Sequence, residues 1–153
     1  KKFHSLPARG SVADLAFSAD ASRLAVARNK QPPLRSQAIK KAEGKSFAID
    51  PVGANLVEVY RHSQGRLQAK PEKLLAHRSI VSSVAWIGSD LLSGSWDRSV
   101  QLWNTIPRSH TVQPLHYKHI VRDLAVGPGG VFAVASWAAS QDHPAISVSK
   151  LLY

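Results

Sequence analysis

Three stretches of this chain, VADLAF from Val12 to Phe17, VSSVAW from Val81 to Trp86 and VRDLAV from Val121 to Val126, share one pattern. Each reads Val-x-x-(Val/Leu)-Ala-apolar and is followed, after a short turn, by another strand-like run. Val81 and Val121 stand 40 residues apart. A set of strands returning at that period is the tightest restriction on the fold, because one such unit has an apolar face it cannot bury alone and must stack on its copies. The runs in between are of the same kind. RLAVA (Arg23 to Ala27), NLVEVY (Asn55 to Tyr60), DLLSGS (Asp90 to Ser95), SVQLW (Ser99 to Trp103), VFAVAS (Val131 to Ser136) and AISVS (Ala145 to Ser149) are short and rich in Val, Leu or aromatics. Bounded by Gly, Pro, Asp, Asn or Ser, they predict an all-β chain. The best helical candidate, Ser36 to Lys45, has only Ala38, Ile39 and Ala42 as apolar positions, and Gly44 would end it.

The first interval is longer. From Val12 to Val81 is 69 residues, and the excess falls around Arg28 to Pro51, where we place an insertion inside the first unit. That insertion is basic, as is the whole chain: 20 Lys and Arg against 10 Asp and Glu give a net charge of +10. A field of that sign attracts polyanions, so nucleic acid, an acidic protein face and an anionic membrane all fit it. With no cysteine, disulfides, thiolate metal sites and cysteine nucleophiles are excluded. No apolar run approaches the roughly 20 residues of a membrane helix, and no charged-then-apolar leader opens the chain, so it is expected to be soluble and not secreted. Opening on Lys1-Lys2-Phe3 without Met, it reads as processed or as a portion of something longer.

The stretch AHRSIVSSVAWIGSDLLSGSWDRSVQLWN, Ala76 to Asn104, resembles one repeat of the WD-repeat β-propeller family. The resemblance implies one partial propeller domain over residues 1–153, about three four-stranded blades of a larger ring: blade 1 at about 6–75 with the basic insertion at 28–51, blade 2 at about 76–115 and blade 3 at about 116–153. It also implies a buried hydrogen-bond latch of His77, Ser95 (or Ser93, two residues earlier on the same face), Asp97 and Trp103. Ala76 and Asn104 stand where the family usually has Gly and Asp. Aligning the other copies on their first strands puts Tyr60 at the Trp103 place in the first blade, and Ser149 there in the third, with Tyr117 opposite His77. Rings of this architecture have about 4 to 8 blades. The ring is therefore expected to be completed by residues of a longer chain, or by residues missing between these segments, rather than by another subunit.

By the same resemblance Trp96 looks onto the rim where partners dock, and Trp137, ending VFAVASW, precedes a similar turn. With Arg98 and Arg122 they form the candidate partner-binding rim. The basic stretch supplies candidate phosphate contacts for nucleic acid in Arg28, Lys30, Arg35, Lys40, Lys41 and Lys45. It has no aromatic residue to stack on a base, so such contacts would be salt-sensitive and sequence-blind. A second basic cluster, Arg61, Arg66, Lys70 and Lys73, is expected on the connection between the first two blades.

Catalytic constellations are absent or weak. HYKH (His116 to His119) has no carboxylate or cysteine nearby, so no metal is expected. GPGG (Gly127 to Gly130) has the glycines of a phosphate loop without its Lys-Ser or Lys-Thr and reads as a turn. There is no Gly-x-Ser-x-Gly elbow and no close carboxylate pair. The reading is a non-catalytic scaffold, without cofactor, metal, small-molecule substrate or membrane. It would contact other proteins of a larger complex, and RNA through phosphates, in a ribonucleoprotein setting such as ribosome assembly or RNA processing. An intracellular location, nuclear or nucleolar before cytoplasmic, goes with it. The alternative is a propeller that recognises a short acidic or phosphorylated peptide in a ubiquitin-ligase or signalling complex.

Overall fold

The computed structural model of the chain describes residues 10–29, 55–103, 114–137 and 145–150. Its strands in chain order are β1 (Ser11–Phe17), β2 (Arg23–Asn29), β3 (Asn55–Ser63), β4 (Arg66–Leu67), β5 (Lys73–His77), β6 (Val81–Ile87), β7 (Asp90–Ser95), β8 (Ser99–Trp103), β9 (Leu115–His116), β10 (Ile120–Val126), β11 (Val131–Trp137) and β12 (Ala145–Lys150). Every run read as a strand is one. The GPGG segment is a turn that includes a 3-10 stretch at Pro128–Gly130, with Gly129 in the left-handed region (φ 72°) that glycine enters without strain. Among the described residues there is no α-helix, and the Ser36 to Lys45 candidate lies outside them.

The strands form three antiparallel sheets. The first is β1-β2-β3 with β5 on the free side of β3 and β4 pairing the end of β3, the second is β6-β7-β8-β9, and the third is β10-β11-β12. These antiparallel sheets, stacked one on the next, have the form of propeller blades. The sequence reading missed β4, β5 and β9. β5 pairs with β3 from Asn55↔His77 to Val59↔Lys73, so the first sheet reaches His77 and the expected boundary at 75/76 falls inside β5. The second basic cluster is likewise not on a bare connection: Arg61 is in β3, Arg66 in β4 and Lys73 in β5, and Arg61 pairs with Glu72.

The sheets stack through repeated joints. Ala25, Ala27, Val57 and Val59 of the first sheet bury against Val81, Val84 and Leu91 of the second, and all are less than 5% exposed. At the next joint Ile87, Leu92 and Val100 pack on Val121, Leu124, Phe132 and Val134. This is why β7 is buried along its whole length, each buried Val or Leu being worth about 1.5–3 kcal/mol. Polar stitches add direction. Asn29 holds both backbone groups of Val81, its Nδ2 donating to the carbonyl at 2.9 Å and its Oδ1 accepting the N–H at 2.8 Å. Trp86 Nε1 donates to the Ala16 carbonyl at 3.0 Å, and Ser82 Oγ donates to the Val121 carbonyl at 2.7 Å.

Each first strand carries an irregularity at the same register, between Val12 and Asp14, Val81 and Ser83, and Val121 and Asp123. Such a bulge leaves one residue out of the ladder and re-aims its side chain. The re-aimed residues are Ala13, Ser82 and Arg122. The residues after them, Asp14, Ser83 and Asp123, meet across the sheets: Ser83 Oγ is 3.0 Å from Asp14 Oδ2 and 3.0 Å from Asp123 Oδ1.

Candidate functional site

Two groups of sequence-singled residues start from the end of the sheets where β5, β7 and β11 finish and β6 and β10 begin, the first running from there through the middle of β7 to Trp103. The first is a buried chain. Trp103 Nε1 donates to Ser93 Oγ at 2.7 Å, Ser93 Oγ lies 2.6 Å from His77 Nε2, and His77 Nδ1 lies 3.0 Å from Asp97 Oδ2. The Asp97 carboxylate accepts only, so Nδ1 carries the imidazole proton and Nε2 accepts from Ser93. The Trp103 ring meets the His77 ring edge-on at 6.1 Å between centroids. Asp97 also accepts from the N–H groups of Arg78 (3.1 Å) and Ser99 (3.0 Å) and from Ser99 Oγ. Burial works to raise this carboxyl, but the hydrogen bonds from His77, from Ser99 and from the Arg78 N–H outweigh it and hold the group well below the usual carboxylate range.

The hydroxyl in this chain is Ser93, and Ser95 is not. Both face the same way, but Ser93 pairs with Gln101 in the middle of the ladder, whereas Ser95 is at the strand end. There its Oγ accepts the Asp97 N–H at 3.1 Å and donates to the Ser79 carbonyl at 3.2 Å. Because His77 ends β5 of the first sheet while Ser93, Asp97 and Trp103 belong to the second, the chain ties two sheets together.

The first sheet has a different set at matching registers. Tyr60 pairs with Leu24 as Trp103 pairs with Leu91, and Glu58 pairs with Val26 as Gln101 pairs with Ser93. Arg28, opposite Val12, matches Ser95, opposite Val81. Arg28 Nε donates to Glu58 Oε2 at 2.6 Å, and Tyr60 Oη donates to the same oxygen at 2.7 Å. Burial, then Glu58, pushes the Tyr60 phenol up. Arg28 is therefore not a phosphate contact: it is 7% exposed and its charge is matched inside the sheet. Lys30, Arg35, Lys40, Lys41 and Lys45 lie outside the described residues.

The second group is on the surface. Trp96 is 38% exposed and Trp137 40%, at equivalent places just after Ser95 and at the end of β11. The Arg122 guanidinium sits between them, 5.7 Å from the Trp96 ring centroid and 5.8 Å from that of Trp137. Arg98 is exposed in the turn after β7, in the left-handed region (φ 69°), and is outside that stack. Its carbonyl accepts the Tyr117 N–H at 2.8 Å. Among the described residues no group of His, Asp or Glu could hold a metal ion, and no helix is long and apolar enough to cross a membrane.

Residues 69–104 match the family described as WD domain, G-beta repeat. Over 87 residues the chain is 39% identical to a Periodic tryptophan protein 2 homolog of Neurospora crassa, covering 56% of this chain and 9% of that protein. Over 61 residues it is 43% identical to the homolog of that name in Schizosaccharomyces pombe, covering 39% of this chain and 7% of that protein. The chain thus spans less than a tenth of the length of these relatives. A solved structure of U3-55K superposes with a TM-score of 0.51 at 18% identity over 98% of this chain and 50% of that one, a likeness of fold.

Proposed function

Because this chain carries a WD repeat and folds as blades of the WD-repeat β-propeller, we propose that it is part of a non-catalytic scaffold whose rim holds protein partners in a larger assembly. The observation that carries the reading is the exposed Trp96, Arg122 and Trp137 group, since tryptophan and arginine are the residue types that dominate interface energetics. The groups that could have served as acid, base or nucleophile support it too. His77, Ser93 and Asp97 are consumed by one another inside the joint, where a substrate has no access. The net charge of +10 supports a ribonucleoprotein setting, ribosome assembly or RNA processing in the nucleus or nucleolus, with RNA touched through phosphates by Lys30, Arg35, Lys40, Lys41 and Lys45.

The test uses the whole protein, tagged and purified under native conditions. Proteins that co-purify in stoichiometric amounts should be lost from the Trp96→Ala/Trp137→Ala double variant at unchanged thermal midpoint. Partners retained by that variant would sink the rim reading. Retention on immobilised RNA should fall steeply with salt, and more weakly in Lys40→Glu/Lys41→Glu, because each phosphate contact removed lowers the slope of log affinity on log salt by about 0.7–0.9. An unchanged slope would remove RNA from the reading and leave the protein contacts in place.

A further inference from the structure

We propose that Arg122, held between Trp96 and Trp137, is the receptor for a side-chain carboxylate on a protein partner, an Asp or Glu flanked by an apolar residue. This rests on the reading of the rim as a docking surface and names what docks.

Arg122 is where it is because of the bulge. As the residue left out of the β10 ladder between Val121 and Asp123, it is directed away from the joint and toward the rim. The same position is Ala13 in the first sheet and Ser82 in the second, and Ser82 spends its hydroxyl on the Gly94 and Val121 carbonyls. Among the described residues, only the junction of the second and third sheets combines an arginine there with two tryptophans. The guanidinium lies 5.7 and 5.8 Å from the two ring centroids, which is cation-π range. Such contacts engage the guanidinium as a cation and leave its N–H donors free for hydrogen bonds. No carboxylate pairs with Arg122 among the described residues, where the acids Glu58, Glu72 and Asp97 pair with Arg28, with Arg23 and Arg61, and with His77.

An arginine fixed by two indoles has lost rotamer freedom in advance, which strengthens a bidentate pair with a planar carboxylate. The exposed parts of Trp96 and Trp137 then offer apolar surface on either side of the anion, which suits an acidic residue next to an apolar one. RNA fits less well. The space between the rings is taken by the guanidinium, so a base cannot enter it without displacing Arg122, and a phosphate backbone is tracked by a row of cations rather than by one.

The experiment places a nitrogen-15 label on the tryptophan indoles of the whole protein and adds three probes: the acetylated and amidated peptide GLDELFG, its amide counterpart GLNQLFG, and a uridine dodecamer. The acidic peptide should shift the Trp96 and Trp137 indole resonances, and the amide peptide should bind about tenfold more weakly, the effect of one charge-assisted pair. Arg122→Gln should erase that preference and Arg122→Lys should keep part of it, with both variants melting as wild type. Equal binding of the two peptides, wild-type preference in Arg122→Gln, or shifts caused by the dodecamer and not by the acidic peptide would overturn the assignment. If the assignment fails while Trp96→Ala/Trp137→Ala still strips partner proteins, the docking surface stands without its carboxylate. If the partners also stay, the docking surface itself is wrong.

Discussion

Replacing Asp97 with alanine should lower the unfolding free energy of the intact protein by about 3 kcal/mol, the upper end of the cost of leaving a buried polar group unsatisfied. The carboxylate serves His77 Nδ1, the N–H groups of Arg78 and Ser99 and the Ser99 hydroxyl, so one truncation orphans several donors. The His77 side chain is fully buried, and water cannot replace the lost partner without opening the joint. The loss should also depend on pH. A carboxyl held below its usual value stabilises the fold when ionised, so its contribution is complete above the unfolded-state value and disappears as pH falls through the folded one. The difference between wild type and Asp97→Asn, followed by denaturant melts, should be constant near neutrality and shrink below about pH 4. A melting midpoint unmoved by Asp97→Ala would mean that the carboxylate does not hold the two sheets together.

Gly94→Ala should be nearly as damaging, although alanine is ordinarily the better residue in a strand. A Cβ at Gly94 would stand 2.6 Å from Val121 Cγ1 and 3.4 Å from Leu124 Cγ, inside the second joint. Val121 is fully buried and its β-branched side chain is stiff at χ1, so the methyl cannot move aside cheaply; overpacking of this kind costs about 1–3 kcal/mol. The sharper expectation is coupling. Val121→Ala alone leaves a hole, but combined with Gly94→Ala it removes the clashing methyl, so the double variant should be more stable than the sum of the single effects. Strict additivity in urea melts would place the two residues in separate environments.

The strands were legible because Val, Leu and aromatic residues recur at short intervals between Gly, Pro and Asp. β5 was not, because KLLAH is five residues on the outer edge of a sheet and shows neither alternation nor a turn signal of its own. β9 has two residues and no pattern at all. In the hydrogen-bond chain, period two could place Ser93 and Ser95 on one face, but only the register of β7 against β8 sets which hydroxyl is level with the imidazole. Arg28 misled for a related reason. In sequence it opens a basic run, while its carboxylate partner, Glu58, is 30 residues away on the facing strand. Trp86 was seen as a strand residue and not as a stitch, since its acceptor, the Ala16 carbonyl, is 70 residues distant. Trp96, Trp137, Arg98 and Arg122 could be grouped from the sequence as one rim, but which arginine stands against both indoles depends on a bulge, and no composition reports one.

The Arg28, Glu58 and Tyr60 set bears on how such proteins are counted. At the registers where the second sheet joins histidine, serine and tryptophan, the first closes an equally buried polar circuit with other chemistry, and the third has Ser149 in the tryptophan's place. What each wedge inherits is the obligation to satisfy those positions, not the side chains that do it. A census keyed to the tryptophan-aspartate signature would record a single unit here and overlook its siblings, while one keyed to the kinked first strand and its valine would register all three.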